Sequence, residues 1–376
     1  MNKKLLVILF LVSILVLLIS QQIPALDYKN SEQICRDFIE NHLSDDGCAI
    51  YTNYLDNRLI KEKAEGHQIL SESEGLALLY YFALKDKEMF DLHFNFIREK
   101  MLSTDTGLIK WRYSESNENL ARSNATIDDL RIIRALILAY REWQDERYHD
   151  FFINLADDLY KSVKYRNLLA DHYDFQYKTR AEKVTLSYID LYTIKLLSEE
   201  DHYHFLFFEL EGSRWNKIYE KSLKILKEAF VLEKKSSYFN EKYNIRLKRY
   251  RSSTEPSIAR INMIDNILIN LHLSEVNEDE KDFTNWLKER LIKEGRIYSQ
   301  YYLNGQAVNK EESTAIYALL ARLAKNIGDR ELYYLSLEKM LQFQIKDSSH
   351  YLYGAFGFKN KDEVFSFDNL QALLAF

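Results

Sequence analysis

Residues Ser71 to Asp91 read SESEGLALLYYFALKDKEMFD. Ser71 to Glu74 places a capping side chain and an acid three residues on, the start signal of a helix. The run that follows, LALLYYFAL, has almost no polar position, so the helix must be buried on most of its sides. After Lys85 and Asp86 the pattern changes to apolar residues at i, i+3 and i+4 with a polar face between them. A helix buried all round followed by one half-buried recurs along the chain. Similar starts lie at Thr126 to Asp129, Ser187 to Asp190, Asn309 to Glu312 and Ser366 to Asn369, and a sixth at Thr254 to Ser257 around Pro256. They open LRIIRALILAY, YIDLYTIKLL, STAIYALLARLA, DNLQALLAF and IARINMIDNILINL. Amphipathic helices are predicted over 31–43, 86–101, 146–163, 214–229, 280–294 and 330–345. With only 2 prolines and 10 glycines to break them, these elements predict an all-α chain: an (α/α)6 barrel of six inner and six outer helices. Parallel inner helices bring their N-termini to one rim, where unpaired N–H groups and positive dipole ends favour acids. The functional site is expected there.

The net charge of −6 comes from acids and bases mixed along the whole chain, which excludes a basic face for nucleic acid. Met1 to Lys4 followed by the apolar run Leu5 to Ile19 has the form of an export signal. Residues 1–25 are therefore read as a signal peptide or membrane anchor, with Ile23-Pro24-Ala25 before a possible cleavage point. No cysteine follows the run closely, which argues against a lipid anchor. Residues 26–376 carry no linker and are read as one domain, monomeric and outside the cell or at its surface. Cys35 and Cys48 both fall in the exported part, where they could form a disulfide or remain two thiols.

Acids at the starts of inner helices are the candidates for proton chemistry, and Glu72 and Asp129 are two of them. On pattern alone, each could equally be a dipole partner. His202 and His204 beside Glu199, Glu200 and Asp201 offer metal-ligand types, but histidines in a polar stretch are commonly just solvated. No metal or other cofactor is expected. Neither a phosphate-binding glycine loop nor a serine nucleophile elbow is present.

Ser71 to Asp91 resembles the signature of glycoside hydrolase family 8, with Glu72 on that family's catalytic acid, Gly75 on its second glycine, Asp86 on its helix-ending Asp and Phe90-Asp91 on its closing pair. ATIDDLRIIRALILAYREW, Ala125 to Trp143, is similar to the second signature, with Ala125, Thr126, Asp129, Ile132, Ala135, Leu136, Ala139 and Trp143 on matching positions. GLIKWRY puts Trp111 where the family has a substrate-stacking tryptophan, LSYID puts Tyr188 on a serine-tyrosine pair, and FSFDNLQALLA resembles the last inner helix. The resemblance implies an (α/α)6 barrel and inverting hydrolysis of β-1,4 chains such as cellulose, xylan, chitosan or lichenan.

Two departures stand out. Ile127 replaces the first Asp of the second signature and Asp128 a small residue, so only Asp129 is carried over as the group that shapes and hydrogen-bonds the sugar. Asp128 is expected to contact substrate. The Tyr-Asp-Ala-x-Arg segment that holds the family's base best matches EPSIAR, Glu255 to Arg260, where Arg260 fits but Ser257 stands in the Asp position. Serine cannot act alone as a base, so another acid must serve, with Glu255 first in line and Asp265 or Asp190 behind it. The expectation is an exported glycosidase that cuts a β-linked exopolysaccharide, based on N-acetylhexosamine or else cellulose-like, with catalytic Glu72, Asp129 and Glu255 and substrate contacts from Trp111, Tyr188, Arg260 and Asp128. Release of such a polymer would affect biofilm. The rival expectation is a membrane-tethered sugar-binding or assembly protein that kept the barrel and lost its base.

Overall fold

The computed structural model describes residues 28–56, 66–117, 121–204, 214–233, 236–250, 260–359, 361 and 363–376. The N-terminal signal, Glu255 and Ser257 lie outside these, as do the side chains of His202 and His204. Glu199 and Glu200 pair with Arg141.

Six helices take the inner positions: α2 (Ser71–Leu84), α4 (Thr126–Trp143), α6 (Leu191–His204), α8 (Met263–Ser274), α10 (Thr314–Ile327) and α12 (Ser366–Ala375). Between them run α1 (Tyr28–His42), α3 (Lys87–Phe96), α5 (Glu146–Val163), α7 (Arg214–Glu228), α9 (Lys281–Glu294) and α11 (Arg330–Met340). The inner helices pack in a circuit, α2 on α4, α4 on α6, α6 on α8, α8 on α10, α10 on α12 and α12 back on α2. These contacts close a ring of helices. α2 and α4 approach closely because Gly75 has no Cβ; one added there would stand 3.3 Å from Arg131 Cδ. Outer helices bury a single stripe, as in α5 with Tyr148, Phe152, Leu155, Ala156, Leu159 and Val163. Among the described residues, no helix is long and apolar enough to cross a membrane.

The inner N-termini meet at one end and are tied together by side chains. Ser71 Oγ of α2 donates to Asp128 of α4 at 2.7 Å, Ser187 Oγ, just before α6, donates to Asp265 of α8 at 2.6 Å, and Ser313 Oγ, the cap of α10, donates to Asp368 of α12 at 2.6 Å. Ser73 and Ser366 join α2 to α12 at 2.8 Å. Short strand pairs between the helices frame this rim, among them Ile69–Leu70 with Arg112–Tyr113, and Lys183–Thr185 with Lys242–Asn244.

One expected helix start is corrected. α8 begins at Met263 rather than near Pro256, because Arg260–Asn262 pairs as a strand with Gln300–Tyr302 and Asn262 supplies the cap, accepting from the Ile264 and Asp265 N–H groups. The two cysteines are free thiols: Cys35 is fully buried against Asn369, and Cys48 is half-buried at a positive φ of 74°.

Candidate active site

Glu72 sits in the first turn of α2, partly exposed, and its carboxyl makes no hydrogen bond among the described residues. Crowding by neighbouring atoms raises its pKa from 4.5 to about 7, the nearby Asp128 charge adds to the rise, and Arg131 opposes it. An unpartnered carboxyl that keeps its proton near neutrality is suited to give that proton away. The pair is set by the helices: Asp128, in the first turn of α4, accepts from Ser71 Oγ on one oxygen and from Arg131 on the other at 2.8 Å. Burial raises the Asp128 pKa, while Arg131 and Ser71 resist.

Tyr188 stands half-buried beside these groups. Burial holds its phenol well above the usual value, and the charges of Asp128, Glu72, Asp171 and Asp265 push in the same direction. The phenol is therefore common ground between α2, α4 and α8. Trp111 reaches the same rim through its backbone, whose carbonyl accepts from Ser71 N–H at 3.0 Å and Ser71 Oγ at 3.2 Å. Arg112 lies over the partly exposed Trp111 ring at 4.5 Å. The structure thus brings together Glu72, Asp128, Trp111 and Tyr188.

Asp129 is placed differently from the sequence expectation of a direct sugar contact. It is 0% exposed, one oxygen accepts from Ile109 N–H at 3.2 Å and the other from Asn124 Nδ2 at 2.5 Å. Burial raises its pKa well above the ordinary value, with Asn124 and Ile109 opposing. A carboxyl sealed on both oxygens holds loops in place and has nothing left for a ligand. Asn124, whose sequence context permits glycosylation, is only 2% exposed and also binds Tyr173 N–H. Arg260 is exposed in its strand and makes no ion pair among the described residues.

Of the other acids named as possible bases, Asp190 is buried, accepts twice from Thr193 and faces Arg134. Asp265 is partly buried and keeps its Oδ2 without a hydrogen-bond partner among the described residues. Glu241 was not anticipated. Strand pairing of Lys242–Asn244 with Lys183–Thr185 brings it beside the turn before α6, where it accepts from Asn262 N–H at 2.6 Å. Burial and the Asp265 charge raise its pKa to about 7 despite that hydrogen bond. Its contact with the α8 cap depends on pairing between strands nearly 60 residues apart, which no local motif announces.

Below the rim, Arg134 binds Glu275 through two nitrogens at 3.0 and 2.8 Å, with Asp190 and His272 alongside. Asp190, His272 and Glu275 offer ligand atoms close enough together for a metal ion. The Arg134 guanidinium already supplies the compensating positive charge there.

A carboxyl with a raised pKa beside a second carboxyl at the rim of a ring of helices is an arrangement suited to glycoside hydrolysis. Glycosyl hydrolases family 8 matches residues 13–169. A solved structure described as a novel alpha-amylase from Clostridium perfringens is 35% identical, with a TM-score of 0.83, over 94% of this chain and 98% of that one. The Bacillus subtilis protein named putative lipoprotein YdaJ is 28% identical over 335 residues, 87% of this chain and 84% of that one. PssZ from Listeria monocytogenes shares the fold at a TM-score of 0.67 and 19% identity, over 90% of this chain and 93% of that one. The chain belongs to glycosyl hydrolase family 8 and is a glycosidase.

Proposed function

We propose that the chain is an exported polysaccharide hydrolase on an (α/α)6 barrel, with Glu72 as the general acid. The observation that carries this reading is the Glu72 carboxyl itself, partly exposed, without a hydrogen bond among the described residues, and raised in pKa to about 7 by burial and the Asp128 charge. Asp128 sustains that protonation, Tyr188 lines the same floor, and the partly exposed Trp111 ring receives a sugar through its CH surface. Inversion is the stereochemical course, with a water-activating carboxylate across the cleft from Glu72 at roughly 6.5 to 9.5 Å. Export rests on the Met1 to Ile19 pattern and accords with the name of the Bacillus relative.

The substrate is a β-1,4-linked exopolysaccharide, N-acetylhexosamine-based or cellulose-like, whose trimming releases polymer and affects biofilm. A second reading, an α-1,4-glucan, is favoured by one specific observation: the relative named an alpha-amylase matches nearly the whole of both chains at 35% identity. The deciding experiment incubates the secreted protein with purified cell-surface polysaccharides, cellulose, chitosan and amylose, and scores new reducing ends against Glu72→Gln. Cleavage by the wild type alone supports the hydrolase, and the polymer cleaved selects the linkage. Binding without new ends would favour the sugar-binding alternative.

A further inference from the structure

The stretches Leu108 to Tyr113 and Ala121 to Asn124 meet at the Trp111 end of the rim, where Trp111 N–H donates to the Ser123 carbonyl at 3.2 Å. Their charged residues are Lys110, Arg112 and Arg122, all basic, in a chain whose net charge is −6. A hairpin lies beyond them. Phe175 N–H donates to the Arg122 carbonyl at 2.7 Å, Ser123 bridges to Asp174, and the turn between Tyr173–Asp174 and Thr179–Arg180 carries the exposed Lys178.

Arg112 is the member of this group with the least to hold it. It is partly buried in its strand opposite Leu70, with Cζ 4.5 Å from the centre of the Trp111 ring. Nε and Nη1 are buried without a hydrogen-bond partner, and the guanidinium makes no ion pair among the described residues. Burial lowers its pKa, with no carboxylate opposing the shift. Arg131 and Arg134 differ in this respect: the first has Asp128 at 2.8 Å and the second has Glu275 at 2.8 Å. A desolvated cation with unspent donors is costly until something pairs with it, and the planar fork of a guanidinium matches a carboxylate. Arg122, exposed on the neighbouring stretch, also makes no ion pair among the described residues.

The acids at this end of the rim are occupied elsewhere. Asp128 holds Ser71 and Arg131, Asp129 is sealed by Ile109 and Asn124, and the charge of exposed Glu115 bears on Tyr51. Glu72 keeps its proton to about pH 7 and so does not repel an anion. A sugar laid against the exposed part of the Trp111 ring comes within reach of the Arg112 fork. Resting on the hydrolase reading, we propose that the Trp111 end of the cleft selects a sugar that carries a carboxylate, with Arg112 pairing with that carboxylate and Arg122 drawing it in by charge. The inference adds a substituent to the substrate and leaves its linkage open: the carboxylate belongs to a uronic acid of the backbone or to a pendant acidic group.

The test offers cello-, N-acetylchito- and malto-oligosaccharides in three forms: neutral, oxidised at C6 to uronic acids, and carboxymethylated. In the series that the wild type cleaves, kcat/KM on one acidic form should exceed that on the neutral form by about tenfold at low salt and lose most of this advantage near about 0.5 M NaCl. Preference for the oxidised form assigns a backbone uronic acid, and preference for the carboxymethylated form a pendant group. Arg112→Gln should lower the acidic-to-neutral ratio about tenfold, and Arg112→Lys, which keeps the charge without the fork, should retain part of it. Arg122→Gln should lower the ratio about threefold at low salt and not at all at high salt. Because each ratio is taken within one protein, loss of folded enzyme cancels from it. A wild type that cleaves the neutral form as well as both acidic forms, or an Arg112→Gln variant with the wild-type ratio, overturns the carboxylate site and leaves the hydrolase standing. A wild type that cleaves no form of any series overturns the hydrolase reading and the carboxylate site with it.

Discussion

Replacing Glu72 with glutamine should stabilise the protein at high pH even as it removes the proposed general acid. In the folded chain Glu72 keeps its proton to about pH 7, against an ordinary 4.5. Between those values the folded state binds a proton that the unfolded chain has released, so stability falls as pH rises through this window, and the whole cost is present above it. At about 1.36 kcal/mol per tenfold change in proton affinity, the rise from 4.5 to about 7 corresponds to a ceiling of about 3.4 kcal/mol. Partial exposure lets solvent screen the charge, so roughly 1 to 2 kcal/mol is expected. Glutamine is neutral throughout and avoids the cost. Urea unfolding of both proteins should give equal free energies near about pH 4 and a glutamine advantage of about 1 to 2 kcal/mol near about pH 8.5. Parallel curves would mean that Glu72 is an ordinary solvated acid. A wild-type advantage at high pH would mean that Arg131 outweighs burial and Asp128.

Asp128→Asn removes the charge that supports the Glu72 proton and leaves Arg131 in place. The alkaline limb of kcat/KM should then move from about pH 7 to lower pH by roughly one unit or more, and a limb that stays put refutes the coupling. Asp129→Asn keeps one oxygen acceptor and must set its N–H₂ group against one of the two donors, Ile109 N–H or Asn124 Nδ2; it should cost about 1 to 3 kcal/mol in unfolding free energy while the dissociation constant for sugar is unchanged. Weaker sugar binding with undiminished stability would restore a direct contact for Asp129. Arg134→Met leaves Glu275 and Asp190 buried without their cation and should cost about 3 to 5 kcal/mol in denaturant titration. A change under about 1 kcal/mol would show that the cluster compensates itself.

The helical ring was legible because inner and outer helices bury different fractions of their surface, and burial writes itself into the sequence as apolar periodicity. LALLYYFAL leaves almost no polar side and α5 leaves a full one, so their places could be told apart without contacts. Glu72 could be read because a local signature carries it. The division of labour between Asp128 and Asp129 could not. Successive residues on a helix point about 100° apart, and which direction meets Ser71 and which meets the 109 and 124 backbone depends on how α4 is rotated against α2. The start of α8 was misplaced for a related reason: Arg260–Asn262 becomes a strand by pairing with residues about 40 positions later, a bond that no window around Pro256 contains. The same non-locality concealed Glu241.

The three serine-to-aspartate ties at the rim are the same mechanical joint made three times, each locking a pair of helices with one carboxylate oxygen. What differs is the use of the surroundings. The joint at Asp128 adjoins Glu72, the joint at Asp265 stands on the helix three steps round the ring, and the joint at Asp368 spends its locking oxygen on both Ser313 and Ala315. The molecule therefore carries its own calibration. Whatever the loss of the Ser313 hydroxyl does to rigidity measures the joint as hardware, and any excess on losing the hydroxyl of Ser71 measures what Asp128 does for Glu72 beyond holding two helices together.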